Sequence, residues 1–533
     1  MSTPAPATST KAPRLIALAV PLLGIMGAIQ GAAPNINSTA LITLSRDLNM
    51  TAGGVALAAS IQTLFVAATV ITTGLLADRL GRRRVLLAAL LVGAAGSAIS
   101  GLAPVSGIYF IGQAVIGVGL GAVFGASFAY IRAVAKPGQL AAALGLFGAV
   151  IGLSTLVFMF AGSFLVGVDW RLGFFVTAVT AILAFLLVPI VLPPEPALKD
   201  VQLDVVGQLL LGLGIVGLLY GVSQLGRSFT SPQTLLPLGI GAVLFALFFV
   251  HEAKSKKAFY PVHIFKSPLF IAAILVGFIY NFGTAVSFLQ LTNLWQYVTD
   301  VSTRDIAFWQ VPLTAASVVS ALLTGRWMSK GLSSRTTILI GTLITSAGFV
   351  MLALVSSQKS FVAFLPGTLT TGAGVAMVSI PFGTLIMKVA PPAQFGPVTS
   401  SRTTIGQFFY SIGLAMSTVI IDRFTIGGVV RRLEEAGVQS DSIGTAVSSV
   451  NAFARSGTDP TTKLGKEALA NAVTSYSGAF TTVMITSAVF MLIAGFVAVM
   501  LVRKSGEPTH EVQPPAPVNP SPSTPPAPPP ASH

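Results

Sequence analysis

Apolar residues run along this chain in long stretches separated by short polar clusters, a pattern with neither the alternation of a half-buried strand nor the one-sided stripe of a surface helix. Fourteen stretches approach the roughly 20 apolar residues that cross a bilayer core. They lie near 15–36, 53–77, 85–103, 108–131, 141–166, 172–193, 205–226, 234–251, 269–297, 306–328, 336–356, 361–387, 397–421 and 479–502. In hydrocarbon every backbone N–H and C=O has to be satisfied within its own segment, so each stretch is predicted to be a helix. The expectation is an all-α membrane protein with 14 transmembrane helices, and an even count puts both termini on one side. Lys11 and Arg14 ahead of the first apolar run, with Gly31-Ala32-Ala33 behind it, imitate a secretory signal. Because many spans follow, the run is read as an uncleaved first membrane helix.

Composition agrees with the pattern. Of 533 residues 53% are hydrophobic and only 9% charged, against about 25% charged in soluble domains. The net charge of +14 raises the question of nucleic acid, but the cations sit between apolar runs, where membrane topology accounts for them. No nucleic-acid partner is expected. With no cysteine, disulfides, thiolate metal sites and cysteine nucleophiles are ruled out. With the N-terminus inside, the inner loops hold Arg79, Arg82, Arg83, Arg84, Arg132, Lys136, Lys199, Lys254, Lys256, Lys257, Lys266, Lys330 and Arg335. The short outer loops hold Arg46, Arg171, Arg227, Arg304 and Lys359. That bias places both termini in the cytoplasm, in a plasma (inner) membrane. Residues 422–478 read as a long outer loop of mixed charge, with short helices over 429–436 and 463–473. Residues 505–533, rich in Pro, Ser and Ala, bury too little to fold and read as a disordered tail.

One motif is specific. Gly74-Leu75-Leu76-Ala77-Asp78-Arg79-Leu80-Gly81-Arg82-Arg83-Arg84 stands between the second and third spans. It resembles the signature loop of the major facilitator superfamily. Gly74 permits close helix approach, Gly81 a tight turn, and the arginines face an anionic leaflet. A fainter echo, Gly325-Arg326-Trp327-Met328-Ser329-Lys330-Gly331 with Arg335, follows the tenth span without the acid. Further stretches resemble the fourteen-helix drug/proton antiporter branch: Asp204-Val205-Val206-Gly207, Pro261-Val262-His263-Ile264-Phe265-Lys266, Trp295-Gln296-Tyr297 followed by Pro312, and Arg402-Thr403-Thr404-Ile405-Gly406. The resemblance implies two six-helix bundles, at 15–193 and 261–504, with two extra helices over 194–260 and tails at 1–14 and 505–533. It also implies alternating access around a central cavity. Gly74, Asp78, Arg79, Gly81, Arg82 and Arg83 would then form a conformational latch.

The chain departs from that branch in three places. The aspartate of the first span falls near Ala33, Gln113 stands where the fourth span usually has arginine, and the proline of the fifth span is missing from Val157-Phe158-Met159-Phe160-Ala161-Gly162. The acids and histidines all fall in loops, tails or helix ends, whereas buried ionisable groups usually mark proton relays. Proton coupling is therefore in question, with Asp78 and Asp204 as the remaining candidates.

The candidate substrate-binding groups are Gln30, Asn35 and Asn37 around Pro34 in the first span, Gln113 in the fourth, Asn281, Gln290, Asn293 and Gln296 in the ninth, and Arg402 in the thirteenth. The amides have a competing reading as interhelical hydrogen bonders, and Arg402 as a structural tie. Trp295, Tyr297 and Trp309 read as an interfacial belt or as cavity lining, and Phe158, Phe160 and Phe164 as packing or lipid-facing. Amides, one arginine and no embedded acid suit a lipophilic neutral or anionic ligand better than an organic dication. The leading expectation is export of amphiphilic drug-like or lipid-like compounds, with membrane lipids and, in doubt, protons as further partners. The alternative is a non-transporting scaffold or sensor on a degenerate transporter fold. Without a nucleophile–His–acid cluster, metal-ligand spacing or phosphate loop, neither an enzyme nor a cofactor is expected.

Overall fold

The computed structural model describes residues 17–50, 52–195, 204–225, 230–255, 258–299, 301, 303–456 and 460–504. The tails expected at 1–14 and 505–533 lie outside these, as do Lys199, Arg227, Lys256 and Lys257. Among the described residues the regular structure is helical. The helices are α1 (Ala19–Asp47), α2 (Ala52–Leu80), α3 (Arg82–Gly101), α4 (Ser106–Val134), α5 (Leu140–Val168), α6 (Trp170–Val191), α7 (Val205–Gln224) and α8 (Pro232–Lys254). Then follow α9 (Pro268–Tyr297), α10 (Thr303–Trp309), α11 (Val311–Ser329), α12 (Ser334–Leu354), α13 (Phe361–Val389), α14 (Phe395–Glu435), α15 (Ser440–Ser456) and α16 (Lys463–Lys504).

Thirteen of these are long and apolar enough to cross a membrane. The tenth expected span arrives in two pieces. Pro312, with no N–H to donate, sits in the first turn of α11, and Gln310 separates it from the short α10. At 19 residues α11 is the remaining member of the expected fourteen, and it is not among the thirteen. Its polar residues are absorbed by a neighbour: Ser317 and Ser320 donate to the carbonyls of Gly372 and Ala373 on α13, at 3.0 and 2.6 Å.

Of residues 422–478, expected as a loop, the described ones are mostly helical. α14 runs unbroken for 41 residues and α16 for 42, about 60 Å each, twice the hydrocarbon thickness. α15 packs across their projecting ends. There Val429, Leu433, Ile443, Ala446, Val450, Ala468 and Ala472 close a small core of their own. Hydropathy marks the lipid-embedded part of a helix, not where the helix stops.

Helices α1–α6 pack on one another, and α9, α11–α14 and α16 form a second group. The hairpin α7–α8 lies against α2 and α14. The two groups meet mainly through α5 on α11 and α2 on α14. Large side chains such as Leu186, Ile190, Leu209, Leu213, Leu236 and Val243 are more than half exposed along α6–α8, as a hydrocarbon solvent allows.

Candidate functional site

The groups meet most closely at the end of the molecule that carries the basic loops. A Cβ on Gly74 would lie 2.6 Å from the Gly396 carbonyl oxygen, so α2 and α14 touch backbone to backbone. One turn on, Asp78 Oδ2 accepts the Gly396 N–H at 2.5 Å and Oδ1 accepts from Arg82 Nη2 at 3.1 Å. Arg82 Nη1 donates to Glu195 at 3.0 Å, and Arg83 to the Pro189 carbonyl at 3.0 Å. Burial pushes the Glu195 carboxyl up, against the pull of Arg82. The Phe395 ring lies against both Arg82 and Arg132, 5.1 and 4.8 Å from their guanidinium carbons. Gly81 turns the chain at φ +91, a conformation that favours glycine. Arg79 is half-buried on the last turn of α2 and joins none of the described hydrogen bonds or ion pairs.

The fainter echo builds a second junction of the same kind. Gly325 of α11 meets α5 so closely that a Cβ there would lie 2.6 Å from the Ala141 carbonyl oxygen and 2.9 Å from Gly145 Cα. Ala142 N–H donates to Ser329 Oγ at 2.9 Å.

Arg402 reaches from α14 into a cage of rings drawn from both groups. Its guanidinium carbon lies 4.7 Å from the ring centre of Phe128, 5.0 Å from Phe382, 5.8 Å from Phe124 and 6.0 Å from Tyr280. Its Nε is enclosed without a hydrogen-bond partner, yet the side chain keeps some accessible surface. Among the described residues it belongs to no salt bridge. Ring faces attract a cation but leave its N–H donors unpaired.

The amides disperse. Asn281 contacts α14 at Gly406, one turn beyond Arg402, while its Nδ2 donates to the Gly277 carbonyl at 2.8 Å. Asn37 ties three helices together, donating to Ala58 of α2 at 2.8 Å and accepting from Tyr109 of α4. Gln113, expected to face a cavity, turns to Ser100 of α3 at 3.1 Å and is fully buried. Gln290 joins Ser417 of α14 and Tyr476 of α16, and Asn293 also bonds Tyr476. Asn35 returns to Gly31 of its own helix, Gln30 is buried, and Gln296 is exposed. Gln62 was missed by sequence reasoning: it is buried on α2 with both amide atoms unpartnered. A lone amide in an otherwise apolar run was its only signal.

Asp204 closes the α7–α8 hairpin. It caps α7 through Gly207 N–H at 2.9 Å and holds His251 Nε2 at 2.8 Å and Ser255 Oγ at 3.2 Å. Burial works to raise its pKa, but these partners outweigh it and hold the carboxyl below its usual range. The belt reading of Trp295 does not hold, since it is fully buried against Trp309 and Phe364. Phe164, at 74% exposure, does face outward.

Comparison with known proteins agrees with this architecture. The profile of the Major Facilitator Superfamily matches residues 23–414. The multidrug transporter protein MdtP of Bacillus subtilis is 26% identical over 344 residues, 64% of this chain and 62% of that protein, so this chain spans under two thirds of that relative's length. A triacylglyceride transporter of Mycolicibacterium hassiacum is 29% identical over 64% of this chain and 67% of its own. The crystal structure of the human organic anion transporter MFSD10 superposes with a TM-score of 0.59 at 14% identity, covering 92% of this chain and all of that one. That last likeness speaks for the fold alone. The chain is a multi-pass membrane transporter and not an enzyme, and it belongs to the Major Facilitator Superfamily.

Proposed function

We propose that this transporter exports amphiphilic or hydrophobic compounds, drug-like or lipid-like, by alternating access across the plasma membrane. The cationic loops support an orientation with the end bearing Arg82 in the cytoplasm. The carrying observation is Arg402, a guanidinium caged by Phe128, Phe382, Phe124 and Tyr280, with no carboxylate in its described ion pairs. A lipophilic anion satisfies both halves of that environment: its headgroup pairs with the cation and its apolar body lies on the rings. An organic dication finds nothing there to neutralise it. The multidrug and triacylglyceride transporters among the relatives support a substrate class of this kind. Of the amides, Asn281, one turn from Arg402 along α14 through its contact at Gly406, is the one proposed to assist it.

The Gly74–Gly396 contact, with Asp78, Arg82 and Glu195, serves as the inner latch. Protonation of Asp78 would weaken its hold on Arg82 and Gly396, which makes it the better coupling candidate. Asp204 is already engaged within the α7–α8 hairpin.

Proteoliposome uptake tests the reading with matched fluorescent amphiphiles that are anionic, neutral or dicationic. The anionic probe should be preferred. Arg402→Ala should reduce its transport at least about tenfold, and Arg402→Lys should retain part of it. Equal handling of the dication, or full activity in Arg402→Ala, would overturn the proposal. Transport indifferent to an imposed pH gradient would remove the antiport version.

A further inference from the structure

The projecting part of α14 carries a cluster of arginines that neither the latch nor the Arg402 cage uses. Arg423, Arg431 and Arg432 fall on one half of the helix surface with Gly427 between them. Together with Ser475 and its neighbours on α16 they line a cleft of about 420 Å³. No acid is among the residues lining it. Arg431 Nε lies 3.8 Å from Glu435, but both side chains are about two-thirds exposed or more (71% and 67%), and such a surface pair holds little. On the cleft wall Ser475 Oγ is enclosed without a hydrogen-bond partner. Phe424, 56% exposed, stands at the rim.

Topology gives no reason for these cations. They lie at the end of the molecule opposite the basic loops, where membrane helices ordinarily carry few Lys or Arg. The apolar part of α14 ends near residue 421, so the cleft opens at the level of lipid headgroups. Guanidinium forks match phosphate oxygens in pairs, the enclosed hydroxyl offers one more donor, and Phe424 offers an apolar surface to the start of an acyl chain.

We propose that this cleft is a binding site for a phosphate-type anion, presented by the headgroup of an anionic lipid. The site is separate from the Arg402 cage and does not depend on the substrate proposed there. Native mass spectrometry of the full chain in detergent tests it, with phosphatidylglycerol, phosphatidylcholine and inorganic phosphate as probes. Phosphatidylglycerol should bind about tenfold more tightly than phosphatidylcholine, whose choline masks its phosphate. The double variant Arg431→Gln/Arg432→Gln should lose that preference. So should Gly427→Leu, which fills the cleft: a Cβ at Gly427 meets nothing within 4 Å, and the helix gains a better former. The thermal midpoint of Gly427→Leu should match the wild type, so this variant decides the matter even if the arginine variant folds poorly. If inorganic phosphate competes with the lipid at the same site, the anion alone suffices; if it does not, the lipid is the ligand. Equal affinity for both lipids in the wild type, or preference retained in Gly427→Leu, overturns the proposal.

Discussion

An amide inside a membrane helix can be fully engaged before any ligand arrives. Asn37 is an example: Ala58 takes its N–H and Tyr109 supplies a donor to its oxygen. Tyr109→Phe should therefore cost about 1 kcal/mol of stability, read from denaturant unfolding in detergent, with little change in transport. The sequence showed which residues were polar and embedded, but not which neighbour each one faces: Gln113 turns to Ser100 and Gln290 to Ser417. Arg402 was legible because a cation in hydrocarbon has few alternatives. Asp204 belongs to the same scale. Its carboxyl is held below the usual range, so its contribution is present above about pH 3.9 and is lost as pH falls through its folded-state value. Asp204→Asn should be less stable than wild type at pH 7, and the gap should close below about pH 4, as thermal midpoints across that range will show.

At the scale of elements, two helix pairs join the halves, and glycine makes both contacts possible. A side chain at Gly74 collides with the Gly396 main chain as well as with Ser400 Oγ, and one at Gly325 with main chain alone. Gly74→Val and Gly325→Val should each wedge the basic end apart, so that a cysteine placed on the inner face of α14 labels several-fold faster. Because the native chain lacks cysteine, the background is clean. The signature loop announced the first junction by its residues, and its faint echo announced the second only in retrospect. The helical projection was least legible. Its small core recurs at helical spacing, but it carries enough charge to read as loop. Leu433, fully buried there, is the test: Leu433→Ala should cost about 2–5 kcal/mol locally and raise hydrogen exchange across α15, while the membrane-embedded parts stay protected.

For the whole molecule, a set of long membrane-crossing helices follows from hydrocarbon as the solvent, so most spans were readable from apolar run lengths, whereas the two-group division came from the family resemblance. What the runs could not convey is that both tight junctions lie at the same end, which leaves the molecule closed there. If transport requires that end to open, tying it shut must stop the cycle. Paired cysteines at Ala142 and Ser329, whose backbone and side chain already meet, should cross-link under oxidation and abolish uptake, and a reductant should restore it. Uptake unaffected by the cross-link would argue against opening at this end.

α14 joins these regions in a single rod. Gly396 at its start is in the latch, Arg402 in the aromatic cage, and Arg432 in the cleft past the apolar part of the helix. Arg432 lies about 45 Å along the axis from Arg402, so a tilt of about 10° pivoting on the cage swings it through about 8 Å. An unlatching too slight to notice at the inner surface thus becomes a sweep of a headgroup's width on the other side, and a fluorophore there would act as the pointer of a gauge.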